Sequence, residues 1–291
     1  MPIFRIDSSD KQVFINDTRL MGVQACNVNS PKQTESIQPA GRIGFEDRIQ
    51  ISNQTTDLTI DFMLCDSNTN DPFFDFQSSG ILSTETFDFD IKDLSGETNI
   101  SGSYMTSYSI RGAVRELVEG SVVYECDIIG FNETGNLTVD DQSSDSYGVY
   151  QPSDITVSSS GFNREGISTS GICIQNFDLS FSIPRRSKNR LGVRTPRVRY
   201  PELPANGQLV FSAIKNKITG IDLSPLVLDQ GQISIKLNTE QPSEREYLIN
   251  NCSLISVAEN HVLDEDATLD FTYVFSIIND DITVTDSGIS P

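Results

Sequence analysis

Alternation with a period of two residues runs through this sequence and restricts most of the chain to half-buried strands. Leu58-Thr59-Ile60-Asp61-Phe62-Met63-Leu64 and Phe87-Asp88-Phe89-Asp90-Ile91-Lys92 put apolar and polar side chains on opposite faces. Gln208-Leu209-Val210-Phe211 and Gln232-Ile233-Ser234-Ile235-Lys236-Leu237 obey the same rule less strictly. Tyr104 to Val114, Ser121 to Ile129, Tyr247 to Val257 and Thr268 to Ile278 are rich in the β-branched and aromatic residues that suit a pleated surface. Helical spacing is confined to short stretches at Asn70 to Gln77 and Asp222 to Leu228. The expected fold is mainly β.

The pattern of strands occurs twice. At a constant offset of 151, Val23-Gln24 falls on Ile174-Gln175, Asn27-Val28 on Asp178-Leu179, Gly41 on Gly192, Leu58 on Leu209, Ile60 on Phe211, Met63 on Ile214 and Asp71 on Asp222. An offset of 144 aligns Phe89-Asp90-Ile91-Lys92 with Ile233-Ser234-Ile235-Lys236, Tyr108 with Cys252 and Ile110 with Leu254. An offset of 147 then sets Tyr124 on Phe271 and Ile128 on Phe275. Chance identities would not keep one order of strand, long loop, strand, helix and three strands through both halves. Ser, Asp, Gly and Asn crowd the middle of the chain, so the expected organisation is two β domains, residues 1–135 and 167–291, joined by a linker over 136–166.

The chemistry of catalysis and of metal binding lacks its usual residues. The single histidine, His261, has no G-x-S-x-G or catalytic-cysteine context, and the acidic run Asp264-Glu265-Asp266 lacks the spacing and glycine of a calcium loop. Cys26, Cys65, Cys126, Cys173 and Cys252 are odd in number, widely spaced and without a CxxC, which points to free thiols rather than disulfides or zinc ligands. Phosphate-cradling glycine loops do not occur. No enzyme activity, cofactor or metal is expected. A carbohydrate-binding or adhesin β-sandwich is an alternative from another class, weakened by the absence of tryptophan.

Charge narrows the choice further. Asp and Glu number 41 against 21 Lys and Arg, giving a net charge of −20 that repels a polyanion and disfavours gripping nucleic acid through its phosphates. Residues 1–150 carry 9 basic and 24 acidic residues, a balance of −15, while the rest of the chain carries −5. Arg185, Arg186, Lys188, Arg190, Arg194, Arg197 and Arg199 account for most of the difference, with no acid among them. They occupy the long loop of the second half, whose counterpart Thr34 to Arg48 is mixed in charge. On the alternating strands, Asp57, Asp61, Asp88 and Asp90 lie opposite the apolar residues. No run of about 18 apolar residues exists to span a membrane, and Met1 to Asp7 shows no signal-peptide pattern, so assembly in the cytoplasm is expected.

The strand order of each half, with Val23-Gln24-Ala25-Cys26-Asn27-Val28-Asn29, the polar run Ser30 to Gly44 and the final paired strands, resembles the tail tube fold of bacteriophages, which the tube protein of type VI secretion shares. The resemblance extends from Met21 to Ile278 and is to the duplicated, two-domain form. It implies two tandem β-sandwich or small-barrel domains, each with a flanking helix and a long loop. It also implies a virion protein assembled in the host bacterial cytoplasm, with three chains forming a ring of six domains and rings stacking into a tube. The implied partners are further copies of the chain, the tape measure protein and the tail-end or baseplate proteins. Genomic DNA would pass through the channel without specific binding. A baseplate or tail-completion adaptor of the same fold is the nearer alternative. In such a tube the seven basic residues are expected to dock on an acidic face of the next ring, and Asp57, Asp61, Asp88 and Asp90 are candidates to face the lumen.

Overall fold

Strand formation follows the alternation closely. The computed structural model describes residues 11–30, 34–37, 47–50, 56–66, 86–93, 96–132, 148–159, 174–188, 198–214, 230–239, 244–260, 267–277 and 282–287. Among these residues every regular element is a β-strand and the pairings are antiparallel. The first half supplies β1 (Lys11–Ile15), β2 (Thr18–Arg19), β3 (Val23–Asn29), β4 (Thr34–Ile37), β5 (Asp47–Gln50), β6 (Thr56–Met63), β7 (Cys65–Asp66), β8 (Phe87–Asp93), β9 (Glu97–Ala113), β10 (Glu119–Cys126), β11 (Ile128–Asn132) and β12 (Gly148–Val149). The second half supplies β13 (Gln151–Ser159), β14 (Ile174–Ser182), β15 (Arg185–Lys188), β16 (Val198–Pro201), β17 (Asn206–Ile214), β18 (Gln230–Asn238), β19 (Glu244–Asn260), β20 (Thr268–Ser276) and β21 (Ile282–Ser287).

One hydrogen-bonded path runs β13-β18-β19-β20-β17-β14-β9-β10-β6-β3. The second-half part of it, from β13 to β14, has the same order of pairings as β1-β8-β9-β10-β6-β3 in the first half. The first part of β9 pairs β11, and the first part of β19 pairs β21. The hairpin β4–β5 lies in the long connection from β3 to β6, and β15–β16 in that from β14 to β17. Bulges also coincide: the register slips at Val123/Tyr124 between β10 and β9, and at Leu254/Ser256 between β19 and β20.

The apolar sides of β1, β6, β8, β9, β10, β14, β17, β18, β19 and β20 join in a single core. β6 buries Leu58, Ile60 and Phe62, while β20 buries Leu269, Phe271, Tyr273 and Phe275, at every second position. Phe89 meets Tyr124 edge-on at 4.7 Å in the first half, and Phe211 stacks on Phe271 at 5.0 Å in the second. Cys26, Cys65, Cys126 and Cys252 are free thiols; Cys173 lies outside the described residues.

Three expectations are refined. The stretch read as a linker contains β12 and β13, and β13 pairs β18 with Ile155 opposite Ile235. Its alternation of Ile155 and Val157 with polar residues is hidden in a serine-rich composition. The register also shifts the correspondences late in each half: Tyr124 faces Leu58 and Tyr273 faces Leu209, so Tyr124 corresponds to Tyr273 rather than Phe271. Likewise Ser107 faces Val123 and Ser256 faces Thr272, so Tyr108 corresponds to Val257 rather than Cys252. The cause is the turn from β18 to β19, which is longer than that from β8 to β9, so the offset changes there. Both short helices expected at Asn70 to Gln77 and Asp222 to Leu228 lie outside the described residues.

Truncating Phe211, which stacks on both Phe271 and Tyr273, removes the centre of the second-half core. Phe211→Ala is expected to cost about 3–5 kcal/mol in urea denaturation, and a loss below about 1 kcal/mol would place the core elsewhere.

Candidate assembly surface

The two halves meet edge to edge. β14 alternates Phe177, Leu179 and Phe181, all buried, with Asp178, Ser180 and Ser182. One edge of β14 pairs β17, and the other pairs the second part of β9 from Asn176↔Ala113 to Ser182↔Ser107. Ile183 donates its N–H to the Thr106 carbonyl at 2.7 Å, and Val114 donates to Gln175 at 2.9 Å, extending the seam at both ends. Directly across it, Phe181 stacks on Tyr108 at 5.2 Å, and Tyr108 also contacts Phe62 at 6.2 Å. The seam is thus continuous in both main-chain bonding and apolar packing.

A buried arginine fastens one end of the seam. Arg199 of β16 has 0% side-chain exposure, and its guanidinium lies 3.1 Å from the Glu125 carboxylate and 2.8 Å from that of Asp127. It donates to the Glu125 carbonyl at 3.1 Å and to the Cys126 carbonyl at 3.4 Å, and lies over the Tyr104 ring. Arg185 on the paired strand β15 donates to the Met105 carbonyl at 2.9 Å and covers the same ring. Burial raises the Asp127 carboxyl above its ordinary value, with Arg199 opposing and Glu125 adding to the rise. Burial also pushes the Cys126 thiol up to about 11, which keeps it protonated and unreactive at neutral pH. Arginine suits this place because its planar guanidinium bonds two carbonyls while its charge lies beside two carboxylates.

This geometry divides the basic loop. Arg185 and Arg199 are committed to contacts with the first half, whereas Arg186 and Lys188 are exposed, Lys188 over the Tyr200 ring. Arg190, Arg194 and Arg197 lie outside the described residues.

The side of the long sheet opposite the core is mostly polar, with Ala25, Val123, Val210 and Val274 set among its polar residues. Register places Asn27, Thr59, Val123, Ser107, Ser182 and Asn206 along one row, and Asp61, Ser121, Ser109, Ser180 and Gln208 along the next. Asp57, Asp61, Glu119, Glu125, Asp178 and Asp270 belong to this face, with Arg111 among them and with Arg185 and Arg199 covering its end at Tyr104 and Glu125. Arg111 bonds Glu119 at 2.9 Å and faces Asp178 across the seam. That exposed pair contributes about 0–1 kcal/mol. Ser121 donates to Asp61 at 2.6 Å, and at the corresponding place in the second half Ser212 donates to Asp270 at 2.5 Å, the donor and acceptor strands being exchanged. Asp178, Glu119 and Asp270 were readable by the same period-two rule that singled out Asp57 and Asp61. Nothing local in the sequence marked Glu125 and Asp127 as partners of Arg199.

Asp88 and Asp90 lie elsewhere. They alternate with Phe89 and Ile91, whose side chains enter the core, on a strand paired with β1 and the first part of β9. Asp90 accepts a bond from Asn99 at 2.7 Å and Asp88 one from the Gly102 N–H at 3.2 Å. The four aspartates thus fall on two different layers, Asp57 and Asp61 on one and Asp88 and Asp90 on the other.

Compared with known protein families and with individual curated proteins, the sequence matches none of either.

Arg199→Ala would leave two carboxylates facing a void at the seam and is expected to cost about 3–5 kcal/mol in urea denaturation. Arg199→Lys should recover only part of that loss, and full recovery would show that charge alone suffices.

Proposed function

We propose that this protein is the structural subunit of a bacteriophage tail tube, built of two tandem copies of the tail-tube β unit. The observation that carries the reading is the repeated order of strand pairings, with the two series joined edge to edge into one sheet whose outer face is polar and acidic. A unit that joins its own copy through strand edges is suited to joining further copies in the same way, and head-to-tail contacts of this kind close into rings when the rotation permits. Three chains give a ring of six units, and rings stack into a tube within the virion tail, alongside the tape measure and tail-end proteins.

The acidic face then lines the channel. A ring of three chains carries about −60 in total. A wall bearing Asp57, Asp61, Glu119, Asp178 and Asp270 repels the phosphates of passing DNA, so the genome slides without being held. Asp88 and Asp90 belong to the other layer and face away from the channel in this arrangement. The protein has no catalytic role in this reading. Stacking a polymer of acidic subunits calls for local attraction, and the exposed Arg186 and Lys188, with Arg190, Arg194 and Arg197, supply it to the next ring.

Negative-stain microscopy of the purified protein is expected to display rings with an open centre and stacked tubes. Compact monomers at every concentration would exclude the tube reading. Arg186→Glu with Lys188→Glu should leave rings that do not elongate, and normal tubes from that variant would remove these two residues from stacking. Asp57→Lys with Asp61→Lys should make assembled particles retain double-stranded DNA at low salt and release it at high salt; no retention would place these residues off the channel.

A further inference from the structure

β3 and the second part of β19 each keep one edge without a partner strand among the described residues, and they are the counterparts of β14 and β9, whose edges meet at the seam. β3 pairs β6 along one edge only. The second part of β19, from Leu254 to Asn260, pairs β20 on one side, while β18 reaches no further than Ser253 and β21 no further than Ile249. Each edge exposes a large apolar side chain: Val28 on β3 is 39% exposed and Ile255 at the β19 bulge is 54% exposed. By register, Val28 stands where Leu179 stands on β14, facing Leu58 as Leu179 faces Leu209. Leu179 is 0% exposed, and the strand that covers it is β9. Ser256 likewise stands where Ser107 stands, next to the bulge of β9.

We infer that β3 of one chain pairs antiparallel with the second part of β19 of a second copy, in the register of the seam between β14 and β9. This inference rests on the ring reading and specifies the contact that makes it. Transferring Asp178↔Arg111, Leu179↔Ile110 and Ser180↔Ser109 through the correspondences gives Asn27 opposite Asn260, Val28 opposite Glu259 and Asn29 opposite Ala258. Val257 is then the diagonal neighbour of Val28 on the core side, while Asn27, Asn29, Ala258 and Asn260 continue the polar face. The partner is a second copy because β3 and β19 are the counterparts of β14 and β9, which pair within the chain, while the chain's own pairings leave β3 and this part of β19 unjoined. Main-chain pairing gives the affinity, and the side chains fix the register.

The seam also says which pair can be cross-linked. Its bonds from Ile183 to Thr106 and from Val114 to Gln175 make Ser180↔Ser109 a non-hydrogen-bonded pair, the closer kind in an antiparallel ladder. Asn29 and Ala258 inherit that position. In a Cys26→Ser background, Asn29→Cys with Ala258→Cys should oxidise to disulfide-linked dimers and trimers on a non-reducing gel, with the ladder ending at the trimer of a closed ring. Asn29→Cys with Asn260→Cys, displaced by two residues, should remain monomeric on the gel, since diagonal Cβ atoms lie beyond disulfide reach. Rings visible by microscopy without cross-linking, or equal cross-linking of both pairs, would overturn the register while leaving the ring reading intact. A ladder that stops at dimers would replace the head-to-tail contact with an isologous one. Monomers alone, by both gel and microscopy, would overturn the inference and the ring reading together.

Discussion

An antiparallel sheet must do something with its edges, because an edge strand presents a row of main-chain donors and acceptors that only another strand satisfies well. In this chain the constraint is met once internally, where β14 completes β9, and most other features of the structure depend on that joint. It puts Phe181 on Tyr108 and makes one core of two halves. It brings the β15–β16 hairpin down on the end of β9 and β10, where Arg199 finds Glu125 and Asp127. It also carries the polar face of one half into that of the other without a break. In the proposed tube the same joint, repeated between molecules, makes the ring and its channel wall.

The electrostatics divide by depth. Arg199 is buried and Arg185 half-buried at the seam, where a carboxylate or carbonyl partner is needed to offset the loss of water. Arg111 and Glu119 on the open face pair in solvent and contribute little energy. The acidic residues of that face matter through their common sign rather than through any single contact. A seven-residue basic cluster in the sequence therefore holds two kinds of residue, some binding the chain to itself and some left at the surface.

Alternation made the strands legible: Leu58, Ile60 and Phe62 face the core as period two requires, and the order of strands in each half followed from the same signal. What stayed hidden was long-range. Whether β14 meets β9, or another strand, depends on pairing geometry between segments that share no local motif. The correspondence of Tyr108 with Val257 was obscured because the β18–β19 turn changes the offset where neither strand has an identity to mark it. β13 was missed because Ile155 and Val157 are diluted by serines. Of the acidic strand residues, periodicity identified the polar sides of β6 and β8 correctly but could not say that these sides belong to different layers.

Hydrogen exchange of the backbone amides on the open edges of β3 and β19 reads main-chain pairing between copies itself. Amides of β3 and of the second part of β19 that point away from β6 and β20 are predicted to exchange fast in the isolated chain and slowly in the assembled particle. The amides of β14 and β9 at the seam should be protected in both states. Assembly without any added protection on β3 and β19 would contradict the account, because the copies would then be held together by some surface other than these edges.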